Sequence, residues 1–197
     1  MRNDFKNALM GFFALLLILS SCCKPEAIGN VANTLRPQET NNWCWAATTQ
    51  MLAQHFAISV TQCSLANHRF SMNNCCTPQN QGSNCPKNSA CNKPGWLELD
   101  FAGLKFTETN TALSWDALKK QIFCAKKPMG YAYGTPGVVG HVLVIKGYIT
   151  LNGTRYLALN DPWAPCSGQE RFITYEEYQN PPGTSTHWST WYDIAKK

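Results

Sequence analysis

Gln38-Glu39-Thr40-Asn41-Asn42-Trp43-Cys44-Trp45-Ala46-Ala47 is the stretch from which the rest of the chain is read. Beyond it Ala47, Met51, Leu52 and His55 recur at helical spacing. That pattern predicts a helix from Cys44 to Phe56 buried on one side, with Asn41 and Asn42 as capping residues. A cysteine opening a helix faces the positive end of the macrodipole and backbone N–H groups that lack intrahelical partners, and both favour its thiolate. Gln38, six residues earlier, is placed to aim its side-chain amide at an oxygen that gains charge under attack, beside the N–H of Cys44. The competing reading makes Cys44 half of a disulfide between two structural tryptophans.

Downstream, Ser114 to Phe123 predicts a second helix, capped by Ser114, with Trp115, Leu118 and Ile122 on one face. A further short helix is predicted near 61–68. The last third changes character. Met129–Tyr133, His141–Thr150, Arg155–Leu159, Glu170–Thr174 and Trp188–Ile194 are short apolar or β-branched runs separated by Gly, Pro or Asn, which predict strands of a mostly antiparallel sheet. Helices first and strands after, without a βαβ rhythm, predict an α+β fold in which the N-terminal helix carrying Cys44 packs on a C-terminal β-sheet. Residues 62–95, rich in Asn, Gln, Ser, Pro and Cys, predict a loop region stapled by disulfides.

The segment around Cys44 resembles the papain-like cysteine peptidases, where a Gln precedes the nucleophile by this interval and an aromatic residue follows it. Asn-Trp-Cys-Trp-Ala-Ala is most similar to small bacterial members, such as effector-type peptidases and the leader-cleaving peptidase domains of bacteriocin exporters. Gly140-His141-Val-Leu-Val-Ile-Lys-Gly147-Tyr148, followed by Tyr156-Leu-Ala-Leu-Asn160-Asp161-Pro162-Trp163, extends the resemblance to the catalytic-histidine strand and the next strand, which ends in the orienting residue. The resemblance implies a papain-like domain over 37–197, with Cys44 as nucleophile, His141 as its partner, Asp161 as the residue that orients the imidazole and Gln38 in the oxyanion hole. Side chains alternate along a strand, so only one of Asn160 and Asp161 can face His141. Asp161 is preferred because Asp-Pro at the strand end matches the small bacterial members, and Asn160 is the alternative. The implied partner is a protein or peptide substrate, with no cofactor and no metal. Other acyl-transfer chemistry on the same triad, such as amidase, isopeptidase or transglutaminase-like reactions, would use the same residues. A surface binding module with a peptidase-like fold is the non-enzymatic alternative. His55, His68 and His187 lack such company and read as helix, loop and surface residues.

At the N-terminus, Arg2 and Lys6 flank an entry into the apolar run Ala8 to Leu19, which ends in Leu19-Ser20-Ser21-Cys22. The run is short for a bilayer span and suits the core of a signal peptide. Its end resembles the bacterial lipobox, which implies a lipoprotein signal peptide over 1–21, acylation of Cys22 and an exported protein anchored in the cell envelope, with 22–36 as a tether. No segment of inhibitory size lies between Cys22 and Pro37, so activity is expected without zymogen cleavage. In an exported chain, ten cysteines predict disulfides. With Cys22 and Cys44 set aside, Cys23, Cys63, Cys75, Cys76, Cys85, Cys91, Cys124 and Cys166 remain; their pairing is open, and Cys23 beside the anchor need not pair. Cys75, Cys76, Cys85 and Cys91 lack a paired Cys-x-x-Cys spacing, so disulfides are favoured over zinc. The formal charge of +5 is spread over lysines and arginines that come singly or in pairs, which argues against a nucleic-acid partner. A monomer is the default.

Overall fold

The computed structural model describes residues 23–76, 85 and 89–197. The predicted signal peptide and Cys22 lie outside the described residues.

Seven strands form one sheet: β1 (Ile28–Asn30), β2 (Leu104–Thr109), β3 (Met129–Gly134), β4 (His141–Leu151), β5 (Thr154–Asp161), β6 (Gln169–Thr174) and β7 (Thr186–Lys196). Their order is β2-β7-β3-β4-β5-β6, and every pairing is antiparallel. β4 is the hub. Its first half, His141 to Ile145, pairs with β3, and β1 then takes over beside Gly147 to Ile149. The five runs read as strands from sequence are all strands here, and the sheet is the mostly antiparallel one expected.

Strand alternation divides two cores. Val142 and Val144 pack into a core with Trp43, Trp45, Met51, Leu52 and Trp191. Leu143 and Ile145, pointing the other way, pack with Trp115, Leu118, Ile122, Leu157 and Tyr178. This is why β4 reads as an almost unbroken apolar run: both of its faces are covered. Helix α1 (Cys44–His55) lies over the first face and buries nine of its twelve residues. Thr48 Oγ1 in its second turn donates to Val142 O at 3.0 Å, which fixes α1 against the start of β4.

Helix α2 (Gln62–Phe70) starts at a capping box, in which Thr61 accepts from Ser64 N–H and Ser64 Oγ accepts from Thr61 N–H. Helix α3 (Trp115–Lys119) is capped by Ser114, as its sequence predicts, and runs into a π-helical turn at Lys120–Cys124. Helix α4 (Tyr175–Gln179) follows β6.

Three expectations are corrected. The N-cap of α1 is Trp43, with no side-chain cap; Asn42 instead accepts from and donates to nothing on the helix, its N–H and side-chain amide both bonding Asn92 in the cysteine-rich region. The segment 22–36 is no loose tether where it is described. Cys23 forms a disulfide with Cys124, β1 pairs with β4, and Val31 and Asn33 are buried. The cysteine-rich region is stapled internally by Cys63–Cys76 and Cys75–Cys91, but Cys85 reaches out to Cys166, in the loop after β5.

Candidate active site

Residues 42–45 are held from outside the helix, by successive bonds to one short segment. Asn42 bonds Asn92, the Trp43 indole donates to Cys91 O at 2.8 Å, and the Trp45 indole donates to Lys93 O at 3.2 Å. Both indoles are fully buried, so each has satisfied its one polar group while its ring fills the core. Cys44 lies between these two anchors, in the first turn of a helix whose N-terminus has no side-chain cap. It is 8% exposed and is the free cysteine among the described residues.

The start of β4 brings His141 to this helix end. Cys44, His141, Asp161, Gln38, Trp163 and Arg171 line one cleft of about 600 Å³. His141 Nε2 donates to Asp161 Oδ1 at 2.5 Å, which leaves Nδ1 as the ring nitrogen for the Cys44 thiol. Asp161 accepts two further bonds: the Trp163 N–H on Oδ1 at 3.0 Å, and Arg171 Nε on Oδ2 at 2.7 Å. Burial opposes the charge on the imidazole, but hydrogen bonds to Asp161 and Cys44, with their charges, outweigh it and raise the His141 pKa to about 9. Burial likewise works against the Asp161 carboxylate, and the donors from His141, Trp163 and Arg171 overcome it, so Asp161 titrates below the usual carboxylate range.

Asn160 points the other way. It is fully buried, and its side-chain amide donates to Asn33 O and Asn33 Oδ1 while Asn33 donates to Met51 O in α1. Of the two residues weighed from sequence, Asp161 is the one the sheet turns toward His141.

Gln38 is beside the cleft, with its backbone clipped to the loop that follows β5: its N–H donates to Pro162 O at 3.1 Å and its carbonyl accepts from Cys166 N–H at 2.9 Å. The side-chain nitrogen, however, donates to Thr40 O at 2.7 Å and Asn41 O at 2.8 Å. In this arrangement the amide braces the turn before α1, and it reaches an oxyanion only by giving up one of those carbonyls.

Sequence reasoning missed Arg171 and Tyr133. Arg171 stands opposite Leu159 in the β5–β6 ladder, two residues from the pair Asp161 and Gln169, and so on the face of Asp161. Its Nη2 donates to the Tyr133 hydroxyl at 3.4 Å, and the Tyr133 ring meets His141 edge-on at a centroid separation of 5.9 Å. Burial raises the Tyr133 pKa against the opposing charge of Arg171, so the phenol keeps its proton. The one available signal was the two-residue alternation of β6 relative to Asp161, which requires the strand register.

Cys44 also borders a second cleft of about 380 Å³ on its other side, with Trp96, Val138, Val139 and Trp188 on its walls. Among the described residues no group of His, Cys, Asp and Glu is arranged to hold a metal ion. Cys75, Cys76, Cys85 and Cys91 are all in disulfides.

The chain matches the model of the Peptidase_C39 like family over residues 32–191. Solved structures that share its fold include two papain-like examples. One is a chain from a study of the mite allergens Blo t 1 and Der p 1, with a TM-score of 0.53 and 12% identity over 89% of this chain and 73% of that one. The other is the digestive procathepsin L 3 of Tenebrio molitor larval midgut, with a TM-score of 0.53 and 11% identity over 88% of this chain and 72% of that one. No curated protein sequence matches. With a family match that covers α1, β2 to β6, the first half of β7 and the cleft residues from Gln38 to Arg171, the chain belongs to the Peptidase_C39 like family and has the fold of the papain-like cysteine peptidases.

Proposed function

We propose that this chain is an exported, lipid-anchored bacterial cysteine peptidase that hydrolyses peptide bonds in protein or peptide substrates, with Cys44, His141 and Asp161 as its triad. The observation that carries this reading is the convergence of a free cysteine at an uncapped helix start with a histidine whose far nitrogen is held by a buried carboxylate. A binding module has no need of that arrangement.

In the proposed reaction the Cys44 thiolate attacks the scissile carbonyl carbon and forms a C–S bond. The imidazolium of His141 gives its proton to the leaving amine as the C–N bond breaks. A water molecule then adds to the thioester carbonyl with His141 taking its proton, and the thiolate leaves as the acid product forms. Asp161 keeps Nε2 protonated, so Nδ1 faces the sulfur throughout. The charge on the tetrahedral oxygen falls to the Cys44 backbone N–H at the helix start and to Gln38, whose amide exchanges its bond to Asn41 O for the oxyanion.

The lipid anchor rests on the sequence Leu19-Ser20-Ser21-Cys22. Among the described residues no helix is long and apolar enough to cross a membrane.

The direct test is incubation of the mature secreted protein with a mixed peptide pool, with mass spectrometry of the products and Cys44→Ala as control. New amino and carboxyl termini made by wild type and absent with Cys44→Ala are expected. Products that are transamidated, or none at all, would reject hydrolysis. In parallel, iodoacetamide on the non-reduced protein is expected to label Cys44 fast, and His141→Ala to slow that labelling. Metabolic labelling with a fatty acid, lost in Cys22→Ala, tests the anchor.

A further inference from the structure

The disulfide between Cys23 and Cys124 sits at the end of the molecule away from the catalytic cleft. Two elements span the distance. α1 begins at Cys44 and ends eleven residues later at His55, about 16 Å away, where the imidazole contacts Ala32 O at 2.9 Å and Lys126 O at 3.0 Å. β4 begins at His141 and ends at Leu151, about 33 Å along the strand, where Thr150 N–H donates to Ala27 O. Both elements therefore have their first residue in the cleft and their last beside the N-terminal segment 23–32.

That pole carries its own chemistry. Lys24, Lys120 and Lys126 are exposed around the disulfide, Lys127 is half-buried beside them, and the Lys126 ammonium sits over the Phe123 ring at 4.5 Å. Acidic groups close to these lysines are Glu26, Asp116 one turn before Lys120, and Asp193, the last already accepting from the Gln121 amide. β1 lies against the π-helical turn, and with β4 it presents two apolar side chains to solvent, Ile28 at 55% and Leu151 at 53% exposure.

We propose that this pole is a docking surface for an anionic phospholipid membrane, which holds the catalytic cleft facing away from the lipid. The proposal rests on the lipid anchor at Cys22 proposed above. Cys22 immediately precedes Cys23, and Cys23 is locked to the body through Cys124. Acyl chains on Cys22 therefore have almost no slack, and the surface that meets the headgroups is the one surrounding the disulfide. Lysines there gain from the negative surface potential, and Ile28 and Leu151 can enter the headgroup boundary. Substrates of the anchored enzyme are then polypeptides in the aqueous phase, at about the height of the molecule above the membrane, rather than segments embedded in it.

The test uses mature protein bearing Cys22→Ser, so that acyl chains do not dominate, in cosedimentation with vesicles containing phosphatidylglycerol or only phosphatidylcholine. Binding to the phosphatidylglycerol vesicles that exceeds binding to phosphatidylcholine at least about tenfold, and that falls with added salt, is expected. The double variant Lys120→Glu/Lys126→Glu should lose about tenfold or more of that binding with peptidase activity on a soluble peptide unchanged. Equal binding to both vesicles, salt-independent binding, or undiminished binding by the double variant would overturn the proposal. Fatty-acid labelling of wild type separates the two claims. Label on Cys22 without charge-dependent vesicle binding ends the docking surface alone, whereas charge-dependent binding without label ends the anchor and leaves the surface standing.

Discussion

Asp161 has three donors, from His141, Trp163 and Arg171, and its neighbour Asn160 has a wholly different task; substitutions at the two positions should therefore separate chemistry from folding. Asp161→Asn is expected to lower kcat by about 10²- to 10⁴-fold with the fold retained, because the amide no longer enforces the tautomer of His141. Asn160→Ala should leave kcat/KM within a few-fold and cost about 1–3 kcal/mol in chemical denaturation, since it strips a partner from buried Asn33. The pH profile follows from the same contacts. The His141 pKa is raised, so the imidazolium is intact at neutral pH and is lost as pH rises; the alkaline limb of kcat/KM should lie at about 9. The Asp161 pKa is lowered, so the carboxylate survives into acid and fails only as pH falls through its depressed value. Arg171 contributes to that depression. In Arg171→Met the acid limb should move to higher pH, with kcat falling more than KM rises, and Arg171→Lys should restore the limb in part because the charge returns without the planar fork. A residue serving only the fold would leave the limb in place. That Cys44, His141 and Asp161 would share one cleft was legible in the sequence, because each occupies a distinctive local pattern. Arg171 was not, because its role depends on the β5–β6 register, and a single arginine in a short strand carries no such pattern.

At the scale of elements, α1 is positioned by what it touches at three places: the loop 91–93 at its start, Val142 O at Thr48 and the Asn33–Asn160 pair at Met51. Thr48 is fully buried, and Val has its shape without its hydroxyl. Thr48→Val leaves the Val142 carbonyl without this partner. A loss of about 1–3 kcal/mol is expected in the denaturation midpoint. Because Val142 adjoins His141, kcat should also drop several-fold, and a variant with the lower midpoint but an unchanged kcat would show that the clamp serves only the fold. Apolar periodicity made α1 and the five C-terminal strands legible. β1 is three residues long, too short for any alternation to register, and β2 gains its place only from pairing with β7. α4 has a capping box between Thr174 and Glu177, but five residues give no helical period. The cap of α1 was misread because Asn41 and Asn42 have the right chemistry for it, whereas the bonds from Asn42 to Asn92 depend on a segment fifty residues away.

Across the whole molecule, the two long-range disulfides restrain different ends, and their removal should be felt differently. Cys23–Cys124 closes a separation of 101 residues and Cys85–Cys166 one of 81. On the chain-entropy account each constrains the unfolded state to a similar extent, on the order of 4–5 kcal/mol. Their native surroundings are not alike. Cys23–Cys124 lies at the pole opposite the cleft, so Cys23→Ser/Cys124→Ser should lower the denaturation midpoint while kcat and KM of the folded enzyme stay the same. Cys166 belongs to the loop that follows Asp161, and its N–H donates to the Gln38 carbonyl, while the Gln38 N–H donates to Pro162 O. Freeing Cys166 loosens Asp161 and Gln38 together. Cys85→Ser/Cys166→Ser is therefore expected to lose a comparable amount of stability and also to lower kcat by about tenfold or more, in keeping with the sensitivity of catalysis to misplacement of its groups. Parallel measurement of denaturation midpoints and steady-state rates for both double variants separates the two roles. Equal kcat values in the two would show that the loop after β5 keeps its place without its disulfide, through the Gln38 and Pro162 bonds alone.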